Sequence, residues 1–493
     1  MPQLDIIPTA SALLQSLRGL GYSPETALAD LVDNSIAAGA SAISLDIEWN
    51  DGYPKIILLD DGRGMSPDKL EEAMRFGGVG PSADREPDDL GRFGLGLKTA
   101  SLSQCRRLNV ITRQNNVTHS MMWDVDEVRR TDRWTVQTGE IPAKIKQLDL
   151  LEMNASGTML SLEAMDEIGG LYGLDEEGFY AKIKDIRAHF AMVFHRFLSL
   201  DARRLTISVN ERTVEGWDPM MRTHPATRTL AAGRVGTGSA SVYVAPFVLP
   251  HRDRFANEAE YVAAGGPGSW AERQGFYVYR AKRLVVAGSW LGLGGSRAWT
   301  KEESSRLARI AVDLPSRADA AWRIDVRKSA ARPPAAMRAR LSGIGSTCRE
   351  VAREVFAWRG GNVRGPSRPA DVAGLWVEEH LSGKRRYRIA RDHPVIAELS
   401  DPKTFDPKLF SAALTLIERS VPIERIWLDV SEGADDVTTQ EPVNAALVEE
   451  LVLVLRSSRN GSPEDLLDAL LKTLRVDTPA IRARVLAHLK EHS

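Results

Sequence analysis

The chain is expected to be an α+β protein of several domains, and three observations carry that expectation. Segments with apolar residues at helical spacing and capping residues at their starts alternate with short apolar or alternating runs of strand length. A glycine-rich stretch from Gly77 to Gly96 closes into a helix start. A Gly/Pro/Arg-rich segment, Arg359 to Pro369, reads as a linker to a small, mostly helical C-terminal module with a β-hairpin. The boundaries fall at 1–168, 169–345, 346–373 (helix and linker) and 374–493.

The segment around Asp30 reads as a helix announced by Ser23 as N-cap, Pro24 at the first helical position and Glu25 at the positive end of the dipole. Leu28, Leu31, Val32 and Ile36 would form its buried stripe. Asp30 and Asn34 lie one turn apart and share a face beside that stripe. A carboxylate there can polarise a water. A neutral amide one turn on can bind a hydrated Mg²⁺, which keeps most of its waters and takes few protein ligands. Read alone, the pair also fits a solvated face of an ordinary amphipathic helix.

Lys55 to Leu59 is a short apolar run that reads as a buried strand, with Asp60 at its end. A carboxylate in that place can accept a hydrogen bond from an adenine amino group. Gly62 and Gly64 permit close backbone approach and φ values that a side chain would forbid. Ser66-Pro67 repeats the cap-plus-proline start, for a helix running to about Phe76. By itself, Asp60-Asp-Gly-Arg-Gly64 is no more than a tight turn.

Gly77, Gly78, Gly80, Gly91, Gly94 and Gly96 are interleaved with polar residues, a composition that suits a mobile lid. Gly94 and Gly96 lead into Leu97-Lys98-Thr99, where backbone N–H groups at a helix start plus a lysine make a phosphate cradle. Leu97 separates Gly96 from Lys98, so the Gly-Lys-Thr of a Walker A loop is never formed. The order of glycines also departs from the dinucleotide-binding fingerprint. Ser156-Gly157-Thr158 reads as a turn feeding a further strand.

In this order and spacing, Asp30-Leu-Val-Asp-Asn34, Asp60-Asp-Gly-Arg-Gly64-Met65 and Gly91-Arg-Phe-Gly94-Leu-Gly96-Leu-Lys98-Thr99 resemble the nucleotide-binding motifs of the GHKL ATPases. That superfamily includes gyrase, heat-shock chaperones, histidine kinases, MutL and MORC proteins, and the wording is most similar to the MORC-type branch and its prokaryotic relatives. The resemblance implies a Bergerat-fold ATPase domain, an α/β sandwich, with ATP and Mg²⁺ as cofactors. It implies that Asp30 activates water, Asn34 holds the metal, and Asp60 reads adenine amid Gly62, Gly64 and Met65. Gly91, Gly94, Gly96, Lys98 and Thr99 would hold phosphates, and Thr158 would add a hydroxyl contact to the base. One residue departs from the pattern: hydrolytic members carry Glu where this chain has Asp30.

From about 170 to 340 the chain reads as a mixed α/β domain resembling the transducer that follows the ATPase domain in MutL and MORC proteins. Ile183 to Phe197 is helix-like, with His189 and His195 as packing or capping residues. Leu205 to Asn210 and Gly275 to Arg280 alternate as strands, and Arg309 to Leu314 and Trp322 to Val326 fit the same sheet. The resemblance implies a catalytic lysine sent back to the γ-phosphate. Lys328 occupies the matching place, Arg327 is the alternative, and a basic surface loop is the third reading.

A chain of 493 residues, 43% hydrophobic and 26% charged, has the composition of a soluble globular protein. No apolar run approaches a membrane span and no signal peptide is visible. Cys105 and Cys348 do not suggest a disulfide framework or a zinc site, which points to the cytoplasm. A net charge of −2 makes no global case for nucleic acid. The basic run Lys384-Arg-Arg-Tyr-Arg388, near Trp376, could stack on bases or pack a hairpin, though basic runs are usually solvated faces. Helical patterns follow over Leu409 to Arg419, Val443 to Arg456 and Pro463 to Leu474.

The resemblance implies an ATP-dependent homodimer. Its ATPase heads would exchange the segment Met1 to Pro8. The family resemblance implies DNA as the partner, in defence or repair, and the C-terminal module would be free to bind partner proteins. The readings from other classes are a nucleotide switch that does not turn over and a protein chaperone.

Overall fold

The computed structural model describes residues 9–19, 21–76, 96–139, 146–166, 170–199, 205–238, 241–295, 297–319, 321–324 and 331–356. In the C-terminal part it describes 375–381, 384–400, 406–421, 448, 451, 452, 455, 467, 471 and 479–491. The chain forms two compact units, Met1–Ala357 and Trp358–Ser493.

The first unit begins with α1 (Ala10–Arg18), α2 (Pro24–Ala37), β1 (Ala42–Glu48), β2 (Lys55–Asp60), α3 (Pro67–Met74) and α4 (Gly96–Gln104). Next come β3 (Cys105–Gln114), β4 (Val117–Asp124), α5 (Val125–Thr131), β5 (Gln137–Thr138), α6 (Lys146–Met153) and β6 (Gly157–Met165). α7 (Glu176–Val193), α8 (His195–Leu198), β7 (Thr206–Val209) and β8 (Arg212–Thr213) complete this layer. The strands form one sheet in the order β5-β4-β3-β6-β2-β1-β7-β8. Its pairs are antiparallel apart from β1 with β7.

The apolar run of β2 is divided between two faces by the two-residue strand period. Ile56 and Leu58 enter the main core with Leu28, Leu31, Val32 and the buried face of α7. Ile57 and Leu59 point the other way and pack on Leu148 and Leu151 of α6, with Ile111 and Met159. The sheet therefore lies between helices, an α/β sandwich, as expected.

A second sheet follows: β9 (Arg228–Thr229), β10 (Gly233–Val235), β11 (Val242–Val248), β12 (Gly275–Arg280), β13 (Arg283–Ser289) and β14 (Ala308–Leu314). Its order is β10-β11-β14-β12-β13, with β9 beside β11. Helix α9 (Glu258–Gly265) lies before β12, and the long α10 (Ala335–Phe356) closes the unit. Phe276, Val278, Ile310 and Val312 face α10 residues such as Leu341 and Cys348. The alternate positions Tyr277, Tyr279, Leu284 and Ala311 face the main core, which includes Phe190 of α7 and Phe194 just beyond its end. Both cysteines are buried and free.

Several sequence expectations are corrected. The strand at Leu205–Asn210 joins the first sheet, parallel to β1, with Ile207 opposite Ile43. Trp322 and Ile324 are buried but do not form a strand; Asp319 and residues 321–323 form turns, and Arg323 has φ +47°, which breaks an extended run. The rest of 322–326 lies outside the described residues. The helix at 183–197 starts earlier, capped by Asp175, whose side chain accepts from Gly178 N–H, and is interrupted at Phe194. α3 ends at Met74, before Phe76.

The second unit contains the expected hairpin, β15 (Trp376–Leu381) paired with β16 (Lys384–Ile389), Leu381 opposite Lys384. Helices cover Pro394–Leu399, Pro407–Ser420 and Pro479–Glu491, the first and last not foreseen. Val448, Leu451, Val452, Leu455, Leu467 and Leu471 are helical and share one core with Val485, as the periodicity of 443–456 and 463–474 suggested. Among the described residues, no helix is long and apolar enough to cross a membrane. The linker 359–369 lies outside the described residues.

Candidate nucleotide site

Helix α2 starts as its sequence dictates: the Ser23 side chain accepts from Thr26 N–H, and Pro24 occupies the first turn. Leu28, Leu31 and Val32 are fully buried and anchor the helix to the sheet. Asp30 is buried beside them, and Tyr22 Oη donates to its Oδ2 at 3.2 Å. The backbone carbonyl of Tyr22 in turn accepts from Gln104 Nε2 at the end of α4. The start of α2 is thereby fastened to the helix that follows the glycine-rich stretch.

Asn34 is half-buried, and its Nδ2 is buried with no hydrogen-bond partner. The two ends of an amide are assigned from their surroundings, so either the oxygen or the nitrogen can occupy that place. An amide oxygen facing an unfilled polar demand suits a water of hydrated Mg²⁺. The residues present therefore fit the metal implied by the resemblance, with Asn34 as the group that would hold it.

Asp60 is where the motifs converge. Its Oδ2 accepts from Ser35 Oγ of α2 at 2.6 Å, and its Oδ1 accepts from Gly62 N–H at 2.9 Å. It sits opposite Thr158 in the β2–β6 register, and Thr158 lies opposite Thr112 between β6 and β3. Burial pushes the Asp60 carboxyl upward, while Ser35 and the Gly62 N–H oppose that shift by stabilising the charge. Its neighbour Asp61 has a different task. It is held below the usual carboxylate range despite partial burial, because Ser41 hydroxyl and the Ser41 and Ala42 N–H groups donate to it, which ties the turn to β1.

The glycines of this turn are needed for close approach within the protein. Gly64 has φ +63°, and a Cβ there would lie 1.9 Å from the Arg113 carbonyl oxygen. A Cβ on Gly62 would meet Ala38 Cβ and Asp60 Oδ1, both at 2.9 Å, and one on Gly157 would meet the Asp60 carbonyl oxygen at 2.5 Å. These close contacts are with Arg113 of β3 and with Ala38, the residue after α2.

Thr112, Ser35 and Tyr22 were not singled out from the sequence. Thr112 Oγ1 accepts from Met65 N–H at 2.9 Å, donates to the Gly157 carbonyl at 3.1 Å and lies 3.2 Å from Thr158 Oγ1. It is a hydroxyl hub joining two of the motifs, the turn after β2 and the start of β6. Ser35 had a signal, a hydroxyl directly after Asn34 in a helix interior, where such residues are usually neutral to unfavourable. Thr112 had none, since threonine is ordinary in a strand.

Gly96 begins α4, and Lys98 and Thr99 are buried in its first turns. Lys98 Nζ donates to the Ala73 and Arg75 carbonyls, both at 2.8 Å, so the cation lies at the C-terminal end of α3, where a helix dipole favours it. It also lies 5.8 Å from the Phe76 ring centre. Burial pushes its pKa down to about 8. Gly91, Gly94 and Lys328 lie outside the described residues, as do the lid 77–95 and the segment 1–8.

With this geometry described, the comparisons agree with it. Residues 22–158 match the family described as histidine kinase-, DNA gyrase B-, and HSP90-like ATPase. That stretch, with its sandwich, is a GHKL-type ATPase domain. Protein MICRORCHIDIA 4 of Arabidopsis thaliana is 33% identical over 81 residues, 15% of this chain and 10% of that protein. DNA mismatch repair protein MutL of Halobacterium salinarum is 32% identical over 95 residues, 19% of this chain and 14% of MutL. ATPase morc-1 of Caenorhabditis elegans is 28% identical over 99 residues, 20% of this chain and 11% of the relative. The chain thus spans only 10–14% of the length of these relatives.

Proposed function

We propose that this protein binds ATP with Mg²⁺ at the α2–β2–β6 site and works as an ATP-gated dimeric clamp on DNA. The observation that carries the reading is Asp60: a buried carboxylate at a strand end, oriented by Ser35 and Gly62 and bordered by Thr158. Asp60 would accept from the adenine amino group, and Thr158 would contribute its hydroxyl. Asn34 would hold the metal, which when bound supplies charge neutralisation for the phosphates. Gly91, Gly94, Gly96, Lys98 and Thr99 would bind phosphate, Lys98 by leaving the α3 carbonyls. Lys328, or Arg327, would carry the signal from the phosphate to the second sheet. The likeness to ATPase morc-1 and to DNA mismatch repair protein MutL supports ATP turnover linked to DNA. A role in defence or repair, and partner binding through the second unit, extend the same reading.

Asp30 would orient and activate the attacking water. Its carboxylate is one methylene shorter than that of Glu, roughly 1–1.5 Å less reach. A misplacement of about 1 Å can cost about a hundredfold in rate, so turnover is expected to be slow. The burial of Asp30 and its bond from Tyr22 favour a second reading, a switch that binds ATP and does not hydrolyse it.

Steady-state phosphate release, with and without DNA, separates the two. Wild type should hydrolyse slowly, Asp30→Ala and Asn34→Ala should not, and Asp30→Glu should be at least as fast as wild type. ATP binding without any phosphate release establishes the switch instead. Mass measurement in solution with a non-hydrolysable ATP analogue tests the clamp; a chain that stays monomeric removes it.

A further inference from the structure

Asp33, one residue before Asn34, faces away from the nucleotide site and toward the second sheet. Arg283, the first residue of β13, directs its Nε to both Asp33 oxygens at 3.2 Å. Their side chains are 1% and 4% exposed, so the pair is fully inside the protein. The Arg283 guanidinium also donates to the Leu284 carbonyl and lies 5.4 Å from the Phe194 ring centre. His189 of α7 adds no competing cation. Burial and the Arg283 charge push its pKa down to about 4, and its Nε2 is buried without a partner.

We infer that Arg283 is a positioning residue: through Asp33 it locks α2, and with it Asp30 and Asn34, to the edge of the second sheet. This rests on the nucleotide-site reading above. Residues 30, 33 and 34 share one rigid helical turn, so whatever fixes the orientation of Asp33 fixes the other two. A buried ion pair adds little stability over a well-packed apolar pair of similar volume, while it fixes geometry more narrowly. And the hairpin it grips is held on its other side too. Ala281 and Lys282 turn with φ +44° and +71°, and Arg280, across that turn, bonds Asp319 Oδ2 through Nε at 2.6 Å. The β12–β13 turn is thus clamped to α2 by one arginine and to the segment after β14 by the other.

The test replaces the pair by apolar residues, Asp33→Leu with Arg283→Met, and separately makes Arg283→Lys, with thermal melts to confirm folding. Three quantities are read on the full chain: ATP dissociation constant, phosphate-release rate, and amide exchange of residues 281–289 with and without a non-hydrolysable ATP analogue. In wild type the analogue should slow exchange in this segment about tenfold, a usual size for coupling between sites. The apolar pair should keep ATP affinity within about threefold, because Asp60 reads the base, and lose roughly tenfold or more in rate as Asp30 and Asn34 drift. It should also lose the slowing of exchange, and Arg283→Lys should recover part of both.

An apolar pair that keeps the wild-type rate and the wild-type slowing overturns the inference, leaving the pair purely structural. If wild type binds no ATP, the nucleotide-site reading fails first and this one falls with it. If it binds without hydrolysis, exchange alone decides.

Discussion

The Ser35 hydroxyl donates to the Asp60 carboxylate at 2.6 Å, and this single bond joins α2, proposed to hold the metal, to the strand end proposed to read the base. Ser35→Ala leaves a buried carboxylate with one donor fewer, a change worth about 1–3 kcal/mol of stability. ATP affinity should fall as well, because Asp60 would no longer be held in one orientation. Chemical denaturation and titration calorimetry on the same variant check both effects. Unchanged affinity would separate Asp60 from the base.

Lys98 offers a pH signature. Its pKa is pushed by burial from 10.5 to about 8, so between those values the folded chain binds fewer protons than the unfolded one. The Lys98 contribution therefore destabilises most below pH 8 and is relieved as the pH rises toward 10.5. Denaturation across that range should show the rise in wild type and a flatter curve in Lys98→Met. If Lys98 holds phosphate, an anion should raise its pKa again, and ATP binding near pH 8.5 to 9 (about half a unit or more above the folded value) should take up protons. Calorimetry in buffers of different ionisation enthalpy measures that uptake. Its absence would leave Lys98 as a cap on α3 alone.

Gly64→Ala should damage folding more than nucleotide chemistry. A side chain there must adopt φ +63° and push into the Arg113 carbonyl. Strain of this kind costs about 2 kcal/mol or more, read as a lower melting temperature.

How much of this was legible in the sequence depends on range. Ser23-Pro24 and Ser66-Pro67 mark helix starts because capping acts within a single turn, and both caps are present. Asp60 was legible because a strand-ending carboxylate before two glycines is a local pattern. Pairing was not: Leu205–Asn210 alternates as a strand, but nothing local says that Ile207 lies beside Ile43 rather than in the sheet of Tyr277. The Lys98 contacts were hidden for the same reason, since they come from α3, across the intervening glycine-rich stretch. Nothing local marks Asp33, which lies about 100° round the helix from Asn34 and whose partner Arg283 lies 250 residues on. Local rules found the groups proposed to do the chemistry and missed those that hold them in place.

The most direct test is titration of Mg-ATP into the wild-type chain and into Asp60→Ala. The account predicts saturable binding to one site per chain in wild type, weakened at least about tenfold when the hydrogen-bond acceptor for the base is lost. Equal binding by the two proteins, or none by wild type, would contradict it.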